Sequence, residues 1–363
     1  MTQLNNTYTN NTHTNEALDF LVIGAGISGL SFANKMQSLG VSIAVFEKAR
    51  GTGGRISSKR VTNSQRQNMD FDLGCSSFVG HTKPFKAQLN QWHQDRVIEP
   101  WFKDDQDNLH YVAVSRNSAL TRYLSNNLTC HFSTKIESIR KNNQLWEVSY
   151  INENGINHYV HAKNIILATP APQACDLLPD EIKIKANIKG VSIAAQWVLA
   201  VELENESLNL TDLSFPNNDV IHSISIESNK PRRTHTRNTT ILQIQASAPW
   251  SQNNIDTDKA LVETSILKQL EQIIGQPVLA LNSHLHRWLY STVSRGLESQ
   301  LPYIWHKPST SALGLGIIGD YFNTEHLGIE ASWYSATALA ENLANGLATQ
   351  SKHQAFNRVA END

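Results

Sequence analysis

Hydrophobic and polar positions change period several times along this chain. Residues 18–23 form a short, mostly apolar run with β-branched members, which predicts a buried strand. Residues 27–39 carry a helical pattern that Gly40 ends, and residues 41–46 predict a second strand. From 128 to 168 apolar and polar residues alternate, through Cys130, Phe132, Ile136, Ile139 and the run Leu145 to Tyr150. With a turn at Asn152–Gly155, this predicts a three-stranded β-meander ending at Asn164–Pro170. Further strands are expected at 192–202, 220–226 and 240–246, an amphipathic helix at about 257–274, a last buried strand at 313–318 and a helix at about 328–348. Residues 82–127 mix helix-like and loop patterns. The class is α/β, with a larger sheet that is left and re-entered.

Two glycine devices interrupt this pattern. Gly24-Ala25-Gly26-Ile27-Ser28-Gly29 follows the first strand and opens the first helix. Gly24 suits the tight turn, Gly26 lets a pyrophosphate approach, and Gly29 lets helix and strand pack closely. The N–H groups at Ile27 and Ser28 and the positive helix end then face phosphates. Glu47, closing the second strand, suits the hydroxyls of a ribose and disfavours a 2′-phosphate. The second device, Arg50-Gly51-Thr52-Gly53-Gly54-Arg55, comes just past Glu47 and Lys48. Its Gly53 and Gly54 bring backbone close to a ribityl-pyrophosphate span, and Arg55 supplies a fixed cation. The pair, in this order, points to FAD rather than NAD.

Composition adds exclusions. The 363 residues suffice for two modest domains, and a net charge of −2 implies no basic surface for nucleic acid. Cys75, Cys130 and Cys175 form no CxxC pair, which fits a reducing cytoplasm. No apolar run reaches membrane-spanning length. Residues 1–17, rich in Asn and Thr without an apolar core, read as a disordered tail rather than a signal peptide. The polar tracts at 216–219 and 228–240 read as surface loops. No histidine or cysteine cluster has zinc spacing; His284 and His286 share a strand face but are too few for a metal site.

These stretches resemble the FAD-dependent amine-oxidase superfamily, and within it the renalase-like branch. The resemblance rests on the first fingerprint with Glu47, on Arg50–Arg55 followed by Asp72-Leu73-Gly74, on His286-Arg287-Trp288-Leu289-Tyr290, and on Gly319-Asp320-Tyr321-Phe322 followed by Gly328-Ile329-Glu330-Ala331. It implies a Rossmann-like FAD-binding domain, a parallel sheet plus the β-meander, assembled from 18–81, 128–190 and 310–350. A discontinuous mixed-sheet substrate domain would come from 82–127 and 191–309. It further implies that Glu47, Lys48, Arg55, Ala168, Gly319, Asp320, Glu330 and Ala331 join the glycines around non-covalently held FAD. Asp320 would face the ribityl or pyrophosphate, the lesser alternative being a plain helix N-cap or turn residue. Ile136 would meet the adenine through its backbone, though it reads equally as core. One departure stands out: the branch continues Asp-Leu-Gly with Ala-Gln-Tyr-Phe, where this chain has Cys75-Ser76-Ser77-Phe78. Ser76 and Ser77 would then lie beside the flavin ring.

In such a protein the isoalloxazine carries the chemistry, and the chain binds, orients and excludes. The expected reaction moves a hydride from a small reduced donor, a dihydro-isomer of NAD(P), to flavin N5, with O2 reoxidising the flavin to give H2O2. No Ser-His-Asp arrangement or general base is required for it. Trp197, Trp288, Tyr290 and His286 are candidate pocket walls, since flat rings suit a nicotinamide or an aromatic amine, although aromatics on strands also serve as core. An amine or other small CH–NH or CH–CH donor is the alternative, weakened because no lysine beside N5 is evident. A flavin-binding protein without turnover is the third reading.

Overall fold

The computed structural model describes residues 16–62, 68–180, 182–204, 208, 210–233, 239–307, 313–322 and 328–360. Residues 1–15, most of the expected tail, lie outside the described residues. In chain order the elements begin with β1 (Leu18–Ile23), α1 (Ile27–Gln37), β2 (Ile43–Phe46) and an antiparallel pair, β3 (Ser58–Thr62) and β4 (Asn68–Asp72). Next come α2 (Lys83–Gln94), the antiparallel pair β5 (Ile98–Lys103) and β6 (Leu109–Ala113), α3 (Ser118–Ser125) and β7 (Thr129–His131). The meander is β8 (Lys135–Asn142), β9 (Leu145–Ile151) and β10 (Asn157–Leu167). After α4 (Ala171–Leu177) and α5 (Ile184–Ile188) come β11 (Ser192–Glu204), β12 (Leu213–Ser214), β13 (Ile221–Ile226) and β14 (Thr239–Ala246). Then follow α6 (Ala248–Asn253), α7 (Lys259–Ile274), β15 (Ala280–Arg295), β16 (Ile304–His306), β17 (Gly314–Ile317) and α8 (Gly328–Ala360).

The first sheet runs β16-β17-β10-β1-β2-β7, with β8 and β9 branching from β10. β1 sits at its centre, parallel to β2 and β10, while β17 and β7 extend the parallel register on either side. A central parallel strand is covered on both faces, so its residues are apolar in succession rather than alternately. Phe20 and Val22 face a core made with α1, α2, α3 and α8. Leu21 and Ile23 face the opposite core, made with the meander and with α4 and α5. Each fully buried aliphatic side chain contributes roughly 1.5–3 kcal/mol.

The second sheet runs β12-β13-β14-β11-β15, antiparallel throughout. One face is apolar and covered by α7, where Val262, Ile266 and Leu270 pack on Leu199, Leu242 and Ile244. α7 starts from an Asp258 cap whose carboxylate accepts from Ala260 N at 2.9 Å, and Gly275 ends it in a left-handed turn.

Most predicted elements appear within a few residues of their expected bounds. Two exceptions bear on the site. Residues 82–127 contain the β5–β6 hairpin, whose Pro100 and shifted register obscure its alternation. The tract 228–240 is not simply a surface loop, because Lys230 and Arg233 are buried.

Candidate dinucleotide and redox site

The first glycine loop leaves β1 at the carboxyl end of the sheet. Gly24 has φ +109°, and a Cβ there would lie 2.7 Å from Ala168 O. A Cβ on Gly29 would lie 2.0 Å from Gly24 O, so no larger residue lets α1 pack over this turn. At Gly26, by contrast, a Cβ would meet nothing within 4 Å, so the loop is open where a phosphate would approach. Ser28 and Ile27 are buried at the α1 N-terminus.

The two glycine devices meet. Gly53 N donates to Ala25 O at 3.1 Å, and the Cβ position of Gly54 lies 3.4 Å from Gly26 Cα. Glu47 joins them from the end of β2: Ala25 N donates to one of its carboxylate oxygens and Ala49 N to the other, both at 2.8 Å. Lys48 is exposed beside it. An open depression of about 680 Å³, lined by Arg50, Phe132, Ser133 and residues 152–154, adjoins this end. Ile136 is buried in β8 against the meander core.

Arg55 projects from the second loop and spans the molecule. Its guanidinium forms a fork with Asp320, at 2.7 and 2.6 Å, and also donates to Ser291 O of β15 at 3.0 Å. Asp320 is buried beyond the end of β17. Next to it, Gly319 N donates to Ser335 Oγ of α8 at 3.0 Å, and Ala331 is buried in the first turn of that helix. Glu330, also in this turn, accepts from His81 N and Thr82 N at 2.9 and 2.8 Å. Its carboxylate therefore fastens residues 81–82 to the head of α8.

Between these anchors runs the strip from Asp72 to Thr82. A Cβ on Gly74 would lie 1.9 Å from Arg55 O, and Cys75 N donates to the same oxygen at 2.9 Å. From above, Gln243 and Gln245 donate to Gly74 O at 3.1 and 2.8 Å, and Trp288 Nε1 donates to Leu73 O at 2.6 Å. His286 packs edge-on against Trp288, with centroids 4.5 Å apart. Tyr290 follows two residues further along β15 and is half-buried. Burial holds the His286 imidazole down at about 4.

Trp197 needs correction as a pocket wall. It is fully buried on the far face of the second sheet, under α6 and α7, with Nε1 donating to Asn254 O at 3.1 Å. Pairing explains this: Trp288 lies opposite Gln196, so the neighbouring Trp197 points the other way.

Two constellations escaped sequence reasoning. Asp72 accepts from Arg233 at 2.7 Å, Lys230 at 3.1 Å, Ser58 Oγ at 2.7 Å and Asn117 N at 2.8 Å. Lys230 also pairs with Glu227, and its ammonium lies 5.4 Å from the Trp101 ring. Burial pushes Asp72 up, but Arg233 and Lys230 overcome it and bring the group down to about 2. Burial pushes Glu227 up to about 7, with Lys230 opposing. The Asp72-Leu73-Gly74 motif marked one end of this cluster; no local signal marked its basic partners, 158 and 161 residues away. The second joins Ser77, which the sequence marks, to His110 and Asp104, which it does not. Among the described residues no group of three or more His, Cys, Asp or Glu side chains is placed to hold a metal ion, and no helix is long and apolar enough to cross a membrane.

The residues present fit a dinucleotide. Besides the open face at Gly26, the hydroxyls of Thr52 in the second loop and Thr169 beside the first are buried without a hydrogen-bond partner. Buried polar groups of this kind are rare unless something satisfies them.

Comparison with known proteins defines the class. Residues 22–92 match the NAD(P)-binding Rossmann-like domain. The chain shares its fold with a protein of Exiguobacterium sp. 255-15 assigned as a protoporphyrinogen oxidase, with a TM-score of 0.69 at 10% identity, covering 90% of this chain and 99% of that one. Putrescine oxidase bound to putrescine superposes with a TM-score of 0.59 at 11% identity, covering 91% and 99%. The architecture is thus the fold of these two oxidases, with a Rossmann-like domain at its start. In sequence the chain is similar to renalase of Mus musculus, 22% identical over 307 residues, spanning 77% of this chain and 86% of that protein.

Proposed function

We propose that this protein is an FAD-dependent oxidoreductase of the renalase-like kind, which takes a hydride from a small reduced donor and passes the electrons to O2. The observation that carries this reading is the junction of the two glycine loops with the Arg55–Asp320 fork, which makes one continuous cradle from 18 to 320. In it Gly26 and the α1 N-terminus would take the pyrophosphate, Glu47 the ribose, and Asp320 with Arg55 the ribityl-pyrophosphate span. The flavin, when bound, supplies the hydride-accepting ring.

The chain's own residues do the rest. Arg55 brings a permanent cation to the pyrophosphate while Asp320 keeps its fork oriented. The α8 N-terminus, with Ala331 in its first turn, favours negative charge on the pyrimidine side of the ring. Gln243 and Gln245 hold the Gly74 carbonyl in place and Trp288 that of Leu73. Trp288, His286 and Tyr290 form the donor-side wall.

Likeness to renalase supports a dihydro-isomer of NAD(P) as donor. A second reading, an amine or other small CH–NH donor, is favoured by the proton-accepting group beside Ser77. Purified protein should be yellow, and acid precipitation should release the flavin into the supernatant. Anaerobic mixing with 2- or 6-dihydro-NAD should bleach it within one turnover. A colourless protein that takes up no FAD would overturn the proposal.

A further inference from the structure

The loop between Gly74 and Thr82 carries a constellation that hydride transfer from a dihydronicotinamide does not use. Ser77 Oγ lies 2.8 Å from His110 Nδ1, and His110 Nε2 lies 3.4 Å from Asp104 Oδ2. The three come from separate segments, and the backbone explains why they meet. Phe78 and Tyr111 exchange both backbone hydrogen bonds, at 3.0 and 2.8 Å, which places Ser77 and His110 diagonally on one face of this bridge. The His110 ring stacks on Phe102 at 4.4 Å, 15° from parallel. At the hairpin tip, Asp104 accepts from Gln106 N, Asn108 N and Asn108 Nδ2 at 3.0, 2.8 and 3.0 Å, so it is aimed before His110 reaches it.

Position gives the trio a role. Its strip is pressed on Arg55 at one end and fastened by Glu330 to the head of α8 at the other. Ser77 therefore sits along the line where the ring lies in the proposed function, on which this inference rests.

We propose that Ser77, His110 and Asp104 form a general-base relay that takes the proton an amine donor must release before its hydride leaves. An alkylammonium, R–CH2–NH3+, gives one N–H proton to Ser77 Oγ, whose own proton passes to His110 Nδ1. The C–H bond then breaks, its electron pair leaving as hydride to the flavin, and the nitrogen lone pair forms the C=N bond of R–CH=NH2+. One donor is oxidised by two electrons, the flavin is reduced by two, and one proton rests on His110. Asp104 stabilises that imidazolium, and its place at the hairpin tip lets the proton pass to water. The titratable groups facing the ring are Asp104 from the hairpin and His81 from the loop before α2. Burial lowers the His110 imidazole from its ordinary 6.5, His81 adds to this and Asp104 opposes it. Burial and His81 thus favour the neutral ring, the form able to accept a proton.

The test is anaerobic stopped-flow reduction of the flavin-loaded protein by a panel of primary and secondary amines, with 2- and 6-dihydro-NAD as donors that lose hydride alone. Reduction by amines should rise with pH through a limb belonging to His110. Ser77→Ala and His110→Gln should slow it by about 10²–10⁴-fold and abolish that limb. Reduction by dihydro-NAD, which hands no proton to the relay, should keep the shape of its own pH profile in the same variants, whatever its absolute rate. Ser77→Ala removes one half-buried hydroxyl, so the test survives if His110→Gln fails to fold. Nitrogen NMR of the flavin-free protein adds a separate readout: neutral His110 should carry its proton on Nε2. Asp104→Asn should then lower its pKa and Ser77→Ala raise it. Bleaching by dihydro-NAD alone, amine rates unchanged in Ser77→Ala, or a proton fixed on Nδ1 would overturn the relay and leave the oxidoreductase reading standing. If neither donor class bleaches the flavin, that reading fails and the relay with it.

Discussion

The two faces of the five-stranded sheet are both buried, yet they are opposite in kind. One carries Trp197, Leu199, Val201, Leu242 and Ile244 against α7 and is dry. The other carries Gln196, Gln243 and Ser225, and beyond it Glu227 and Lys230, all removed from solvent, with Gln245 half-buried beside them. Period-two alternation produces both from the same strands. The apolar face stabilises by area and tolerates volume-conserving change. The polar face is stable only while each group keeps its partner, because an unpaired buried donor or charge is costly. Gln243, Gln245 and Lys230 find theirs on the strip from Asp72 to Gly74, so the polar face fixes the floor of the proposed redox site and the apolar face does not.

This contrast can be broken from either side. Trp197→Ala should cost about 3–5 kcal/mol in denaturant unfolding. The folded fraction should keep the wild-type flavin spectrum; a shifted spectrum would place Trp197 at the ring after all. Asp72→Ala leaves Lys230 and Arg233 buried beside an uncompensated gap, with an expected loss of about 3–5 kcal/mol. Unlike Trp197→Ala, it should also weaken FAD retention on a desalting column.

Glu227 offers a finer test, because its folded pKa is raised by burial to about 7. The folded state then binds a proton more tightly than the unfolded chain, so this group's contribution is largest at low pH and declines as pH rises towards 7. Asp72, held down at about 2, acts in the opposite sense and loses its contribution only as pH falls below the ordinary carboxylate range. Thermal melts of Glu227→Gln should show less loss of stability between about pH 4.5 and 7 than wild type. An unchanged slope would remove Glu227 from the balance. Smallest of all, Trp288→Phe deletes the bond to Leu73 O and should cost about 1 kcal/mol in stability. Its larger effect should be on the KM of the donor, read from steady-state rates.

Local pattern reached far into this molecule, and its failures share one cause. β1, α1, β2 and the meander follow from short-range periodicity, and Gly24, Gly29 and Glu47 from the spacing that a βαβ turn imposes. Lys230 and Arg233 were misplaced because a polar tract signals solvent unless a distant carboxylate draws it inside. Trp197 was misassigned because an aromatic on a strand reads alike on either face until a register is known. His110 and Asp104 carried no motif. They matter only because the Phe78–Tyr111 bridge brings their hairpin to Ser77.

The sequence by itself determined that β1, α1 and β2 form a βαβ unit with a glycine-lined turn, and that a second glycine loop with Arg55 follows it. Glycine requirements and strand periods act over a few residues, so they are written locally. Only the tertiary structure decided that Arg55 forks onto Asp320, that one face of the second sheet closes on Asp72–Gly74, and that Ser77 meets His110. Those contacts join residues 33 to 265 positions apart, and they exist because burial makes each of these charges and hydroxyls need a partner.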